Sequence, residues 1–274
     1  MDNVLKFPHI WLPRDFSREK RVHESRIDGG VGGGIQGLDG IVSNLYGSNV
    51  IPPPLSPTDW WDPQYNAYQD TGTSTPATAN NDPVGHLSSQ ASGTALTNTG
   101  GTDRGLLKTN AINSLPVIQY DGSNDFLKAS FSISMPFSIY MLVRIDTWVN
   151  NHMLVSSADQ ATFGIYCHTS SPNIASYGGL NGDSTDNTNM VVGSFKVVSA
   201  VWTSAVKLRV NKTTRTTGGQ SSGSHSLGGV TIAQNGPAGS FGAVSVGRVA
   251  IYNTAHSDAD NDTVAQAFMD IYGL

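Results

Sequence analysis

The chain has a single cysteine, Cys167, among 274 residues. No intramolecular disulfide can form, so packing and hydrogen bonds must hold the fold, and Cys167 reads as a buried structural thiol. Glutamate is nearly as scarce: Glu19 and Glu24 are the only two, both near the N-terminus. A pair of glutamates for acid–base chemistry therefore cannot be built from residues 27–274. Charged residues make up 14% of the chain, well under the usual quarter, whereas a helical protein needs Glu and Lys on its exposed faces. Apolar runs stay far short of membrane-spanning length, so no membrane insertion is expected. The first apolar run is broken by Lys6, Pro8 and His9 and has no small-residue cleavage site. This predicts a protein made in the cytoplasm without an export signal. The seven histidines are scattered, with no pair at metal-ligating helical spacing. A net charge of -5 argues against a nucleic-acid partner.

Glycine, in contrast, is abundant at 30 residues, and Ser, Thr and Asn fill much of the rest. That is the composition of a turn-rich β protein with uncharged polar surfaces. The most informative stretch is Leu115-Pro-Val-Ile-Gln-Tyr-Asp-Gly-Ser-Asn-Asp-Phe-Leu127. Val117 and Gln119 alternate with Ile118 and Tyr120, which is strand periodicity, and Asp121-Gly122 is strong turn chemistry, so the stretch predicts a β-hairpin. Further strands are expected over 137–145, 195–202, 206–210 and 242–253. In the first of these Tyr140 and Leu142 make the second face apolar too, as in a strand covered on both sides. Lys207 and Arg209 give the strand 206–210 one wet face. Residues 69–104 read as long polar loops. Ser257 is a good N-cap for a closing helix with Val264, Phe268 and Ile271 on one face and Gly273 as its left-handed stop. That helix is expected on an edge of the sandwich.

Residues 1–58 differ from 59–274. They hold an apolar, proline-punctuated segment with Phe7, Ile10, Trp11 and Phe16, a glycine tether from Gly29, and a polyproline-like spacer at Pro52-Pro-Pro54. Residues 1–26 carry six basic and four acidic residues, leaving -7 for the remainder. Exposed Phe, Ile and Trp are unfavourable in water, so this arm is expected to lie either on its own body or on a neighbouring subunit. Gly32, Gly34 and Gly37 fit G-x-G-x-x-G, but with no strand before and no helical pattern after them they read as tether rather than dinucleotide site.

Trp60-Trp61-Asp62-Pro63, the block from Leu107 to Leu127, Val246-Gly-Arg-Val-Ala-Ile-Tyr-Asn253 and the terminal Ile271-Tyr-Gly-Leu274 occur in an order that resembles the concanavalin A-like (laminin G-like) jelly-roll domains of tailed-phage virion proteins and bacterial surface proteins. The resemblance spans roughly 59–274. It implies an all-β sandwich of two antiparallel sheets with a short C-terminal helix, preceded by the extended arm. Domains of this kind serve as lectins, glycosidases, adhesins or virion parts, so fold leaves function open. The family's glycosidases use paired carboxylates, commonly two Glu on one strand, and residues 59–274 have none; the expectation is therefore that the protein is not an enzyme. The leading reading is a non-enzymatic structural component of a virion, a capsid decoration, head fibre or tail protein. The arm, through Phe7, Ile10, Trp11 and Phe16, would hold it to other virion proteins, in a homo-oligomer of three or more. The alternative is a glycan-binding adhesion module, with a glycoside hydrolase as the remoter alternative. By analogy with family lectins, Tyr177, Asn181, Asp183, Asp186, Asn187 and Asn189 are the carbohydrate-binding candidates for a host surface glycan, and Asp183 and Asp186 the candidate Ca2+ ligands. The bland alternative for this segment is an ordinary polar hairpin loop. No other cofactor is expected.

Overall fold

In the computed structural model the described residues are 50–98, 101–159, 163–178, 183–215, 226–236 and 239–274. They form two large antiparallel sheets packed face to face, plus one C-terminal helix. The all-β jelly-roll sandwich expected from the sequence is the observed architecture. The first sheet runs in the order Thr213–Arg215, Val206–Val210, Lys196–Trp202, Phe137–Ile145, Ala243–Tyr252, Leu115–Asp121, Leu106–Ile112. The second runs Asp183–Asn187, Ile174–Gly178, Phe163–Cys167, Met153–Ser157, Val230–Ile232, Leu127–Ala129, Leu96–Thr97, His86–Leu87, Ala67–Tyr68. Between the sheets lies the main core, from Ile118, Phe137, Ile139, Met141, Trp202 and Leu208 on one side to Leu127, Leu154, Phe163, Ile165 and Ile174 on the other. Phe137 packs at 5.0 Å from the rings of both Trp202 and Phe163.

A second core covers the outside of the first sheet. Tyr140, Leu142, Val197 and Tyr252 face outward and are sealed by Val264, Phe268, Met269 and Tyr272 of the helix Asp258–Tyr272. The both-faces-apolar pattern of 137–145 is thus realised, and the helix lies on a sheet face, not on an edge. Its caps are as read: Ser257 and Asp260 form a reciprocal capping box, and Gly273 sits at φ 65°. The strand Ala243–Tyr252 shifts register against Phe137–Ile145 between Val246 and Val249; on its other side its first half pairs with Leu115–Asp121 and its second half with Asp59–Trp61. Such a bulge re-aims a side chain, here that of Arg248. Gly247 beside it has no room for a methyl group: an added Cβ would stand 2.7 Å from Leu142 Cδ2.

Four sequence expectations change. Asp121-Gly122 is not a hairpin turn, because it carries the chain from one sheet to the other, from Leu115–Asp121 to Leu127–Ala129. The hairpin lies one turn earlier, at Asn113 and Ser114, both at positive φ. Residues 69–104 are not all loop, since the short strands at His86–Leu87 and Leu96–Thr97 extend the second sheet. Arg209 is buried rather than wet: its guanidinium reaches Asp258 and Asp262 of the helix at 2.7 and 2.8 Å. The proline segment is not a free spacer. Arg248 donates to the Ile51 carbonyl at 2.8 Å, Tyr252 Oη donates to the Pro54 carbonyl at 2.8 Å, and the Thr58 amide donates to the Ile251 carbonyl at 2.8 Å. The candidate anchor residues Phe7, Ile10, Trp11 and Phe16 lie outside the described residues. Among the described residues no helix is long and apolar enough to cross a membrane.

His256, just before the helix cap, is buried between Tyr252 and Tyr140, whose hydroxyl lies 2.8 Å from its Nδ1. Burial lowers its pKa below the ordinary 6.5, and Asp260 opposes this less strongly. The unfolded chain then takes up a proton that the native state refuses. Stability is therefore complete above about pH 6.5 and falls as the pH drops below it, by at most about 1.4 kcal/mol per pH unit for this group. Denaturant melts between pH 8 and 5 should show that loss, and His256→Asn should flatten it.

Candidate functional site

The second sheet's outer face has no helix over it among the described residues. In the strand Phe163–Cys167 the residues Phe163, Ile165 and Cys167 point into the core, so Gly164 and Tyr166 point outward; in Ile174–Gly178 the outward pair is Ala175 and Tyr177. Cross-strand register sets Gly164 opposite Tyr177 and Tyr166 opposite Ala175. Gly164 is the floor for the Tyr177 ring: an added Cβ would lie 2.6 Å from its Cε1 and 2.4 Å from Met153 Cε. Glycine within a strand often marks such a close approach.

Tyr166 stands with its ring 5.8 Å from Tyr177 and 5.7 Å from His168, edge to face in both cases. Tyr177 Oη donates to Asn235 Oδ1 at 3.1 Å. Asn235 belongs to the turn before strand Ala243–Tyr252, and that turn is fixed from beneath. Buried Ser156 donates its hydroxyl to the Gln234 carbonyl at 2.7 Å and accepts the Gly236 amide at 2.9 Å. The result is an open cleft of about 420 Å³. Tyr166, Tyr177 and Met153 form its apolar side, and Asn151, His168, Thr169, Asn235 and Ser240 supply polar groups. Asn173 Nδ2 lies 3.4 Å from His168 Nδ1. Burial raises the Tyr177 hydroxyl above its ordinary pKa, so it stays a neutral donor. An amphipathic aromatic wall with a few neutral hydrogen-bonding groups is the chemistry that grips a sugar: CH faces pack on rings while hydroxyls pair with amides and hydroxyls.

Of the six carbohydrate candidates read from the sequence, Tyr177 lies in this cleft. Asn187 is buried, and its amide is taken up by the protein: Nδ2 donates to the Thr213 carbonyl at 3.2 Å, and Oδ1 accepts the Asn189 amide at 2.9 Å. It ties the two sheets' edges together rather than facing a ligand. Asn189 is exposed and donates from Nδ2 to Asn187 Oδ1 at 2.9 Å. Asn181 lies outside the described residues. The backbone of Asp183 pairs with Tyr177 and that of Asp186 with Ala175. Among the described residues no cluster of three or more His, Cys, Asp or Glu is arranged to hold a metal. Cys167 is a core residue whose thiol burial raises to about 12, too high for a nucleophile. Tyr166, His168 and Asn235 were not singled out from the sequence. The alternation Phe163-Gly-Ile-Tyr-Cys-His168 is the signal that would have found the first two; Asn235 is reached only through its turn.

No family model matches the chain, and no curated protein matches it. Solved structures do. Trypanosoma rangeli sialidase with sialic acid superposes at a TM-score of 0.55 and 10% identity over 82% of this chain and 36% of that one. Its covalent-intermediate complex with 2,3-difluorosialic acid gives 0.55 and 10% over 77% and 33%. The chain thus spans about a third of the length of the sialidase. Domain 4 of an extracellular GH43 arabinanase from Geobacillus stearothermophilus, solved with arabinotriose, gives 0.53 and 15% over 77% of this chain and 98% of that domain. At these identities the likeness is one of fold. It corrects one expectation of the sequence reading, that the protein is not an enzyme: the shared fold is that of parts of a sialidase and an arabinanase. Missing glutamates remove one catalytic layout, not the class.

Proposed function

We propose that the sandwich is a carbohydrate-binding module and that the cleft over Gly164 receives the sugar. The observation that carries this reading is the Tyr166–Tyr177–His168 wall, held in place by Asn235 and set among neutral polar groups. The likeness to an arabinanase domain solved with arabinotriose is in keeping with it. Removing one ring from such a wall costs on the order of 1.5 kcal/mol, about tenfold in affinity. Tyr177→Ala should therefore weaken glycan binding about tenfold, measured by calorimetry with whichever oligosaccharide scores on a glycan array. Tyr177→Phe keeps the ring and should lose less. Equal affinities for all three proteins would remove the cleft from the reading.

A second proposal concerns setting. We infer that the module is displayed on a virion and held there through residues 1–58, as a homo-oligomer. The contacts of Arg248, Tyr252 and the Thr58 amide along residues 51–58 support this, because they give the chain a fixed point of departure from the sandwich. A chain lacking residues 1–50 should be missing from purified particles. Its presence there at the normal level would end the anchoring idea.

A further inference from the structure

The cleft offers a sugar one stacking ring rather than a row of them. This inference rests on the carbohydrate-binding reading above and concerns the form in which the sugar is presented. Residues two apart on a strand share a face and stand roughly 6.6–6.8 Å apart along it. Register therefore sets the three rings in a line along Phe163–Cys167 and just past its end: Tyr177 opposite Gly164, then Tyr166, then His168. Coplanar rings in such a line would make a flat platform. These rings are not coplanar. Tyr166 is inclined at 63° to Tyr177 and at 82° to His168. Each contact sets the edge of one ring against the face of the next, an arrangement that aromatic quadrupoles favour, so flattening the row would lose both contacts. Exposure leads to the same conclusion. Tyr166 is 6% exposed, packed with Met153 and Ala175. Tyr177 is half-buried across Gly164 and lines the open cleft.

We propose that the cleft binds one sugar unit of a soluble chain, stacked on Tyr177, and does not bind the flat face of an insoluble polysaccharide. A crystalline cellulose or chitin face is planar. A protein that grips it needs several rings in one plane, each adding on the order of tenfold in affinity. A plane laid against Tyr177 is inclined at 63° to Tyr166, so the second ring cannot join the stack. A single sugar unit makes no such demand. Its CH face packs on the one accessible ring, while hydroxyls at its rim pair with polar groups of the cleft such as Asn235 and Ser240. Units further along the chain find no second ring at the same inclination, and they add little.

The test uses the full chain. A glycan array selects the sugar, and calorimetry then follows that sugar as soluble chains of one to six units. In parallel the protein and its Tyr177→Ala variant are mixed with microcrystalline cellulose and with chitin powder, and depletion from solution is measured. Affinity should reach its plateau by the second unit, each further unit adding less than about twofold. Depletion by the powders should be no greater for the unaltered chain than for Tyr177→Ala. The length series needs only the unaltered chain, which keeps the test decisive should Tyr177→Ala not fold. Affinity that climbs about tenfold through the third and fourth units overturns the proposal, as does depletion by either powder that Tyr177→Ala abolishes. In both of those cases glycan binding itself still stands. If no soluble chain binds and neither powder depletes the protein through Tyr177, the carbohydrate reading of the cleft fails, and this inference with it.

Discussion

Arg248→Ala should cost about 3–5 kcal/mol of folding stability, and Asp62→Ala a similar amount, each visible as a lower denaturant midpoint. The two side chains are fully buried and joined at 2.8 Å from Nε to Oδ2. Asp62 also accepts the Gln64 amide at 2.9 Å and the Tyr272 hydroxyl at 3.3 Å. The guanidinium lies 4.8 Å from the Trp60 ring and 5.8 Å from that of Phe268, under the helix. Deleting either partner strands a charge in a site that water does not reach, and the penalty is the desolvation of that charge more than the lost attraction. Arg248 Nη2 has no hydrogen-bond partner as it is. The pair is therefore costly to hold, and replacing both members by apolar residues, Arg248→Met with Asp62→Leu, should lose less than either alanine variant. Stability of a domain is usually about 5–15 kcal/mol, so either single change removes a large share of it. A loss below about 1 kcal/mol for both singles would contradict this account of the buried pair.

Trp202→Ala should cost a comparable amount, about 3–5 kcal/mol, through the cavity left beside Phe137 and Phe163. Trp202→Phe separates two roles. The phenyl ring keeps much of the stack, but the indole N–H that reaches across the sandwich to the Tyr177 carbonyl at 3.0 Å is lost. A carbonyl deprived of its buried partner costs about 1–3 kcal/mol. Since that carbonyl belongs to the residue at the centre of the cleft, Trp202→Phe should weaken glycan binding as well as stability. Unchanged glycan affinity in a folded Trp202→Phe protein would show that the core does not support the site in this way.

The strands that carry one clean period were legible. Phe137–Ile145, Lys196–Trp202, Val206–Val210 and the closing helix match their sequence patterns within a residue or two. What the patterns could not hold is which sheet a strand joins. Asp121-Gly122 looks like a hairpin turn because the local chemistry of a tight turn is the same whether the next strand pairs back or crosses over. Arg209 looks wet because alternation records two faces, not that a helix 50 residues downstream covers one of them. The same limit applies to the site. Tyr177 could be picked out by its polar neighbours along the chain, but Tyr166 and Asn235 meet it only through pairing and a distant turn. The motifs Trp60-Trp61-Asp62 and Gly247-Arg248 turned out to be two halves of one buried ion pair. Nothing in either segment alone announces its partner, 186 positions away.

The strand Ala243–Tyr252 follows every other described strand of its sheet in sequence, yet it sits in the middle, between Phe137–Ile145 on one side and Leu115–Asp121 and Asp59–Trp61 on the other. A nascent chain still lacking it has a slot where its central rung belongs, and nothing made earlier can fill that slot correctly. Closure must wait until residues 243–252 have left the ribosome, and contacts of such long range form slowly. Until then the open flanks are exposed to any extended peptide nearby, so a synthesis halted before residue 243 should yield a product prone to clump.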